Sequence, residues 1–276
     1  MIDLPSACSN FVSRAATLLP SRRMNVTQSA MTLPDLRNPD RLALFLDFDG
    51  TIVAIANRPD DVRLNPETRE ALADLNGLLA GALAIVTGRD IATVDRFLAP
   101  LRLSIAGVHG LMRRDAQGHT YAAVVDSGLP TAIERVVSPL LEKHPGLLVE
   151  RKYGALALHY RGHPELEQAS IEAMESVLGE FRELEVKRGK MVVEVKAIGG
   201  SKGAAIADFL NEKPFAGRRA VFAGDDMTDE DAFVVVNARD GISIKVGPGV
   251  THATYRATGT VEFLAWLRQL PAQLGG

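Results

Sequence analysis

"RLALFLDFDGTIVAI", residues 41–55, drives a run of apolar side chains straight into two aspartates, a glycine and a threonine. An apolar run of this length ending at a glycine suits a strand buried on both faces of a sheet. Residues i and i+2 of a strand point the same way, so Asp47 and Asp49 begin on one side of it. Gly50 then allows a sharp turn beyond the strand end. Both carboxylates would stand at the carboxyl edge of a parallel sheet, where open α/β folds bind their ligands.

The segments on either side repeat the pattern. "NPETREALADLNGLLAG" (65–81) opens with Asn65 as N-cap and Pro66 at the first helical position, and stops at Gly81. The strand-like "ALAIVTGRD" (82–90) follows, then a helix with Ile91, Val94, Phe97 and Leu98 in register, then "LSIAGVHG" (103–110). Strand and helix in alternation predict a doubly wound parallel sheet. Near residue 112 the rhythm changes. "HTYAAVV" (119–125), "LLVERK" (147–152) and "ALALHYR" (155–161) read as strands. Helices are expected around 131–142, with Pro139 kinking or ending the first, and 164–181. "LEVKRGKMVVEVK" (184–196) reads as a hairpin turning at Arg188–Gly189. From residue 200 the parallel rhythm returns, with helices at 202–211, 229–238 and 261–270 and strands "RRAVFAG" and "GISIKV". The expected architecture is an α/β core, residues 39–111 and 199–276, interrupted by an α+β cap at 112–198 and preceded by a poorly ordered extension at 1–38.

Of 276 residues, 31 are basic and 34 acidic, a net charge of −3 that suggests neither a nucleic acid nor an anionic membrane as partner. A single cysteine, Cys8, excludes an intrachain disulfide and a cysteine-based zinc site. No apolar stretch approaches a membrane span. Residues 1–38 carry only Asp3 and Asp35 as acids and lack a sustained apolar segment, so cleavage as a leader is not expected. A cytoplasmic monomer is the expectation.

Three further stretches place chemistry at predicted strand ends. "AIVTGR" delivers Thr87 and Gly88. "GGSKGAAI" puts Ser201 and Lys202 at a helix N-terminus, which favours an anion. "VFAGDDMTDED" delivers Asp225, Asp226 and Asp229. Acidic oxygens with no soft ligand nearby suit a hard octahedral cation, most simply Mg2+, which keeps some waters and bridges to phosphate. Singly, each stretch has a plain structural reading: a β-turn, a common Thr-Gly turn, a solvated lysine, a capped helix start. Together, in this order and each after a strand, they leave that reading little room.

The set DFDGT, Thr87, Lys202 and "GDDMTDE" resembles the haloacid dehalogenase superfamily of phosphohydrolases. Within it, "GVHG", "ALALHYR", "RGKMVVEVK" and "GGSKGAAI" resemble the trehalose-6-phosphate phosphatase family. Met112 stands where that family usually has Glu, and Ala197 where Pro is usual. The resemblance implies a phosphatase of the trehalose pathway with Asp47 as nucleophile, forming an aspartyl phosphate, and Asp49 as general acid and then base. It implies Mg2+ on Asp47, the Asp49 carbonyl and Asp225, with Lys202 and Thr87, beside Gly88 and Arg89, around the phosphoryl group. Asp226 and Asp229 would orient metal waters or Lys202. In the cap, Lys152, His159, Arg161, Lys190 and Glu194 are the candidate sugar contacts; His109 is either another or a structural histidine. Phosphatases of sucrose 6-phosphate or mannosyl-3-phosphoglycerate, and a non-catalytic Mg2+-dependent binding module, are the competing readings.

Overall fold

The computed structural model describes residues 33–56, 58–126, 128–179, 181 and 184–275, so most of the expected extension at 1–38 lies outside the described residues. The stretch from 33 onward belongs to the core instead: Leu36 is buried, and the Trp266 indole N–H donates to the Pro34 carbonyl at 3.0 Å.

The chain begins its sheet with β1 (Leu42–Leu46), every residue of which is buried. α1 (Pro66–Leu78) starts where the Asn65 side chain accepts the Glu67 N–H at 2.8 Å. β2 (Leu83–Val86), α2 (Ile91–Leu98) and β3 (Ser104–Gly107) complete the first half, with Asp90 capping α2 through the Thr93 N–H at 2.7 Å. β4 (Met112–Arg114) and β5 (Thr120–Ala122) follow, then α3 (Leu129–Lys143), β6 (Leu148–Lys152), β7 (Ala155–His159), α4 (Glu167–Ser176), β8 (Leu184–Gly189) and β9 (Val192–Ala197). The second half comprises α5 (Lys202–Phe209), β10 (Arg219–Gly224), α6 (Glu230–Asn237), β11 (Ile242–Val246), β12 (Tyr255–Ala257) and α7 (Thr260–Gly275).

Two sheets result. One has eight strands in the order β12-β11-β10-β1-β2-β3-β4-β5, parallel from β12 to β3 and antiparallel beyond. The other is antiparallel, in the order β6-β7-β9-β8. Each has its own apolar cluster, the larger built on Phe45, Phe222 and Phe233 and the smaller on Leu156, Met174 and Val195.

Several expectations shift. β4 and β5, which lie from residue 112 onward, extend the parallel sheet rather than joining the second one. Arg113 explains the choice. Its guanidinium lies between the rings of Tyr121 (4.7 Å) and Phe209 (4.9 Å) and pairs with Glu212, tying the hairpin to α5 and the turn after it. Pro139 lies inside α3 without ending it: the Ser138 hydroxyl donates at 2.8 Å to the Arg135 carbonyl, the acceptor Pro139 has no N–H to satisfy. α4 is shorter than its sequence pattern, with a single tight helical turn at each end. The β8–β9 turn falls at Lys190–Met191, where Met191 adopts φ +61°.

Phe45, Phe209 and Phe215 form a fully buried trio with ring centroids 4.9–6.0 Å apart, beneath the strand that ends at Asp47. Phe45→Ala should lower the unfolding free energy by ~3–5 kcal/mol in denaturant titrations. A loss below ~1 kcal/mol would mean that the neighbouring rings collapse into the space.

Candidate active site

Parallel pairing of β1 with both β10 and β2 brings three strand ends together. The Asp47 N–H donates to the Ala223 carbonyl at 2.9 Å, and the Thr87 N–H to the Ala106 carbonyl at 2.8 Å. Asp47, Thr87 and Asp225 therefore emerge at one sheet edge, all buried. Lys202, the first residue of α5, reaches the same point. Its ammonium donates to Asp47 Oδ1 and Asp229 Oδ1, each at 2.7 Å. Asp229 is then complete, since its other oxygen accepts the Asp226 N–H at 2.9 Å. Gly50, at φ +79°, lies so close to Asp225 that a Cβ there would meet Asp225 Oδ2 at 2.1 Å. No side chain larger than hydrogen fits the turn.

The two aspartates of the opening motif part company. Asp47 turns to Lys202, whereas Asp49 accepts a bidentate clamp from Arg89, at 2.6 and 2.7 Å. The remaining Arg89 nitrogen donates to the Pro59 carbonyl at 2.9 Å. Arg89 thus faces Asp49 and the 58–59 loop. The Thr87 hydroxyl accepts the Arg89 N–H at 3.1 Å.

Asp47, Asp225 and Asp229 offer carboxylate oxygens within 4.8 Å of one another. Burial pushes the Asp225 carboxyl up to about 6 against the pull of Lys190, with Asp229 and Asp226 adding to the rise. Burial likewise raises Asp47 well above the carboxylate range, opposed by Lys202 and assisted by Asp229 and Asp225. Lys202 moves upward too: burial opposes its charge, but Asp229 and Asp47 outweigh that. Lys202 is charged, its ammonium held by two carboxylates with good geometry on both sides.

Facing this edge, the second sheet forms the other wall of a cleft. Lys152 on β6 pairs with Glu194 on β9 and lies 3.8 Å from Glu150; His159 on β7 donates to Glu150 at 2.9 Å. Arg161 donates to the Lys190 carbonyl at 3.0 Å, and Lys190 pairs with Asp225, joining the hairpin tip to the acidic loop. His109 is held at φ +53° over Gly88, whose hypothetical Cβ would meet His109 Nε2 at 2.6 Å. Its Nε2 approaches Glu194 Oε1 at 3.4 Å. Burial, then the nearby Lys202 and Lys152, push the imidazole well below its ordinary range, so it is neutral at pH 7. Among the described residues Glu194 Oε1 is buried without a hydrogen-bond partner, and Glu194 lines the cleft.

Every candidate metal, phosphate or sugar contact named from the sequence lines this cleft except Asp229; Ser201, which caps α5, does not line it either. Asp229 lies behind it, against Lys202. Arg58, Glu150 and Lys187 line it as well and were missed. Glu150 was within reach of the reading, since "LLVERK" puts Leu148, Glu150 and Lys152 on one strand face.

The fold and this cleft define a phosphatase of the haloacid dehalogenase type. The trehalose-phosphatase family model matches residues 45–261, and the chain belongs to that family of phosphoric monoester hydrolases. Trehalose-6-phosphate phosphatase of Escherichia coli is 39% identical over 251 residues, covering 88% of this chain and 93% of its own. A probable trehalose-phosphate phosphatase of Sinorhizobium fredii is 39% identical, over 85% and 88%. Among solved structures, a trehalose-6-phosphate phosphatase related protein shares 30% identity with a TM-score of 0.71, over 84% of this chain and 97% of its own. Among the described residues no helix is long and apolar enough to cross a membrane.

Burial alone would raise Glu150, but Lys152 and the His159 hydrogen bond hold it down, at about 2 against an ordinary 4.5. A depressed folded value stabilises the protein fully above pH 4.5, and the stabilisation is lost as pH falls toward 2. Glu150→Gln should therefore lower the denaturant midpoint at neutral pH, and its gap to wild type should close as pH falls through that window. A constant gap would assign the effect to packing.

Proposed function

We propose that the protein is a Mg2+-dependent phosphatase that converts trehalose 6-phosphate to trehalose and phosphate through an aspartyl phosphate on Asp47. The observation that carries this reading is the buried Lys202 ammonium held between Asp47 and Asp229, opposite a cap wall with an unpartnered Glu194 oxygen. The names borne by the Escherichia coli and Sinorhizobium relatives support the substrate.

The donor set fits the metal: three buried carboxylates crowd together with no thiol or imidazole among them. With both Asp229 oxygens already engaged, Asp47 and Asp225 are the side chains that would hold Mg2+, with the Asp49 carbonyl. Bound there, the ion would offset the repulsion between a carboxylate nucleophile and an anionic phosphate. Asp47 attacks phosphorus in line, and the bond to the sugar oxygen breaks as Asp49 supplies the proton. Asp49 must leave Arg89 to do so. Water then attacks the acyl phosphate, Asp49 takes its proton, and phosphate departs from a regenerated Asp47. Lys202 and Thr87 hold the phosphoryl oxygens. Arg89 serves Asp49, and Asp226 and Asp229 serve the acidic loop and Lys202. The cap holds the sugar through Glu150, Lys152, His159, Arg161, Lys190 and Glu194. Neutral His109 adds a donor beside Glu194.

Two measurements test the division of labour. Glu194→Ala should cut kcat/KM for trehalose 6-phosphate by ~10^2, because remote binding energy positions the reacting phosphorus. Hydrolysis of p-nitrophenyl phosphate, which has no sugar, should change far less, while Lys202→Ala should damage both esters alike. Equal losses for Glu194→Ala would remove Glu194 from the sugar site, and faster turnover of sucrose 6-phosphate or mannosyl-3-phosphoglycerate by wild type would reassign the substrate.

Chelation tests the metal. Exhaustive treatment with EDTA should abolish phosphate release, and added Mg2+ should restore it. Full activity after chelation would overturn the metal site.

A further inference from the structure

Lys196 is a fully buried cation that the proposed reaction does not use. It stands near the end of β9, on the strand face that also carries Glu194 two residues earlier. Its ammonium donates to the Gly200 carbonyl at 2.6 Å, reaches the Ala197 carbonyl at 3.4 Å, and pairs with Glu185 Oε1 on β8 at 2.6 Å. An ammonium has three protons, and these are three acceptors. Burying a lysine requires such satisfaction. The unusual part is where one of the acceptors, the Gly200 carbonyl, lies.

Residues 198–201 are the strap by which the chain returns from the second sheet to Lys202 at the start of α5. Its middle is unpacked: Ile198 is exposed, and Gly199 takes φ +123° with nothing within 4 Å of a hypothetical Cβ. Its far end is packed tightly. A Cβ on Gly200 would meet the Leu111 nitrogen at 2.8 Å, and the Ser201 side chain caps α5 through the Ala204 N–H at 3.1 Å. A strap anchored at 200–201 and loose at 199 would let β9 pivot about Gly199. The Lys196–Gly200 bond closes it into a ring.

We propose that Lys196 is a positioning residue: its ammonium staples β9 to the chain that leads into Lys202. The staple sets Glu194, on the sugar side of the cleft, at a fixed distance from Lys202, on the phosphate side. This rests on the reading of Glu194 as a sugar contact. Lys202 itself is held by Asp47 and Asp229, so losing the staple should leave the phosphate side intact.

The test compares wild type, Lys196→Met, which keeps the length and loses the donor, Lys196→Arg, which keeps a donor, and Glu194→Ala. The readouts are the ratio of kcat/KM for trehalose 6-phosphate to that for p-nitrophenyl phosphate, and amide hydrogen exchange in peptides covering 197–201. The ratio is independent of the fraction of enzyme that is folded, so a poorly folding variant still reports. Lys196→Met should lower the ratio by about tenfold, as a sub-ångström loss of positioning does, and speed exchange in the strap but not in β10. Lys196→Arg should recover part of both. An unchanged ratio in Lys196→Met, where Glu194→Ala lowers it, overturns the proposal. If Glu194→Ala also leaves the ratio unchanged, the sugar-side reading fails instead. The staple is then judged by exchange alone: faster exchange in the strap supports it, and unchanged exchange overturns it.

Discussion

The interaction on which the rest depends is the ammonium of Lys202 shared between Asp47 and Asp229. All three groups are buried, so none can be removed without stranding a charge out of water. Lys202 lies 155 residues from one partner and 27 from the other. Such separations can be closed only by a particular strand order. β1 must lie beside β10, and α5 must start over the edge where both strands stop, which the parallel sheet accomplishes with Asp47 and Asp225 at its carboxyl end. Gly50 belongs to the same requirement, because the chain turns away from β1 within touching distance of the Asp225 carboxylate. The core is thus organised around a concentration of charge that its apolar strands make expensive to leave unpaired.

The opposite wall follows a different electrostatic rule. Glu150 and Glu194 both lie against Lys152, Glu150 also meets His159, and Arg161, Lys187 and Lys190 line the same cleft, so the acids of this wall are surrounded by basic groups. In the proposed reading this division orients the substrate. Carboxylates on the cap accept sugar hydroxyls, while Lys202 at the sheet edge attracts the phosphoryl group. Among the described residues one buried Glu194 oxygen has no hydrogen-bond partner, so the wall is one donor short of closing on itself.

Local signals carried much of this into the sequence. The apolar run into Asp47, Asn65 before Pro66, and Ser201 before Lys202 each depend on neighbours within a turn or a strand, and the structure has each where its local chemistry puts it. Membership of a sheet is a different matter. "HTYAAVV" reads as a strand without showing which sheet it joins, and the choice was made by Arg113 stacking on Phe209, nearly a hundred residues away. Pairings were illegible for the same reason. The sequence offers Arg89 beside a phosphate-like turn, and only the folded chain brings it to Asp49. Glu150 failed differently: its alternation with Lys152 was visible, but a glutamate in an exposed-looking strand carries no mark of the cleft it faces.

The divergence of Asp47 and Asp49 is where fold and chemistry meet most closely. A strand directs residues i and i+2 to one side, which would leave two carboxylates in a single environment and in mutual repulsion. The turn at Gly50 and the arrival of Arg89 from β2 prevent that. Asp47 remains buried against Lys202, with the other acids pressing on it, whereas Asp49 is more exposed and engaged by a guanidinium stacked near Phe48 and Phe97. Two acids of the same type and nearly the same position are thereby made unequal. In the proposed reaction one attacks from a fixed point; the other, held by a partner it can exchange, carries the proton. Division of roles between neighbouring carboxylates requires such unequal surroundings. Here the inequality is supplied by an arginine just beyond the adjacent strand, so in the proposed reaction the pairing of β1 with β2 matters as much as that of β1 with β10.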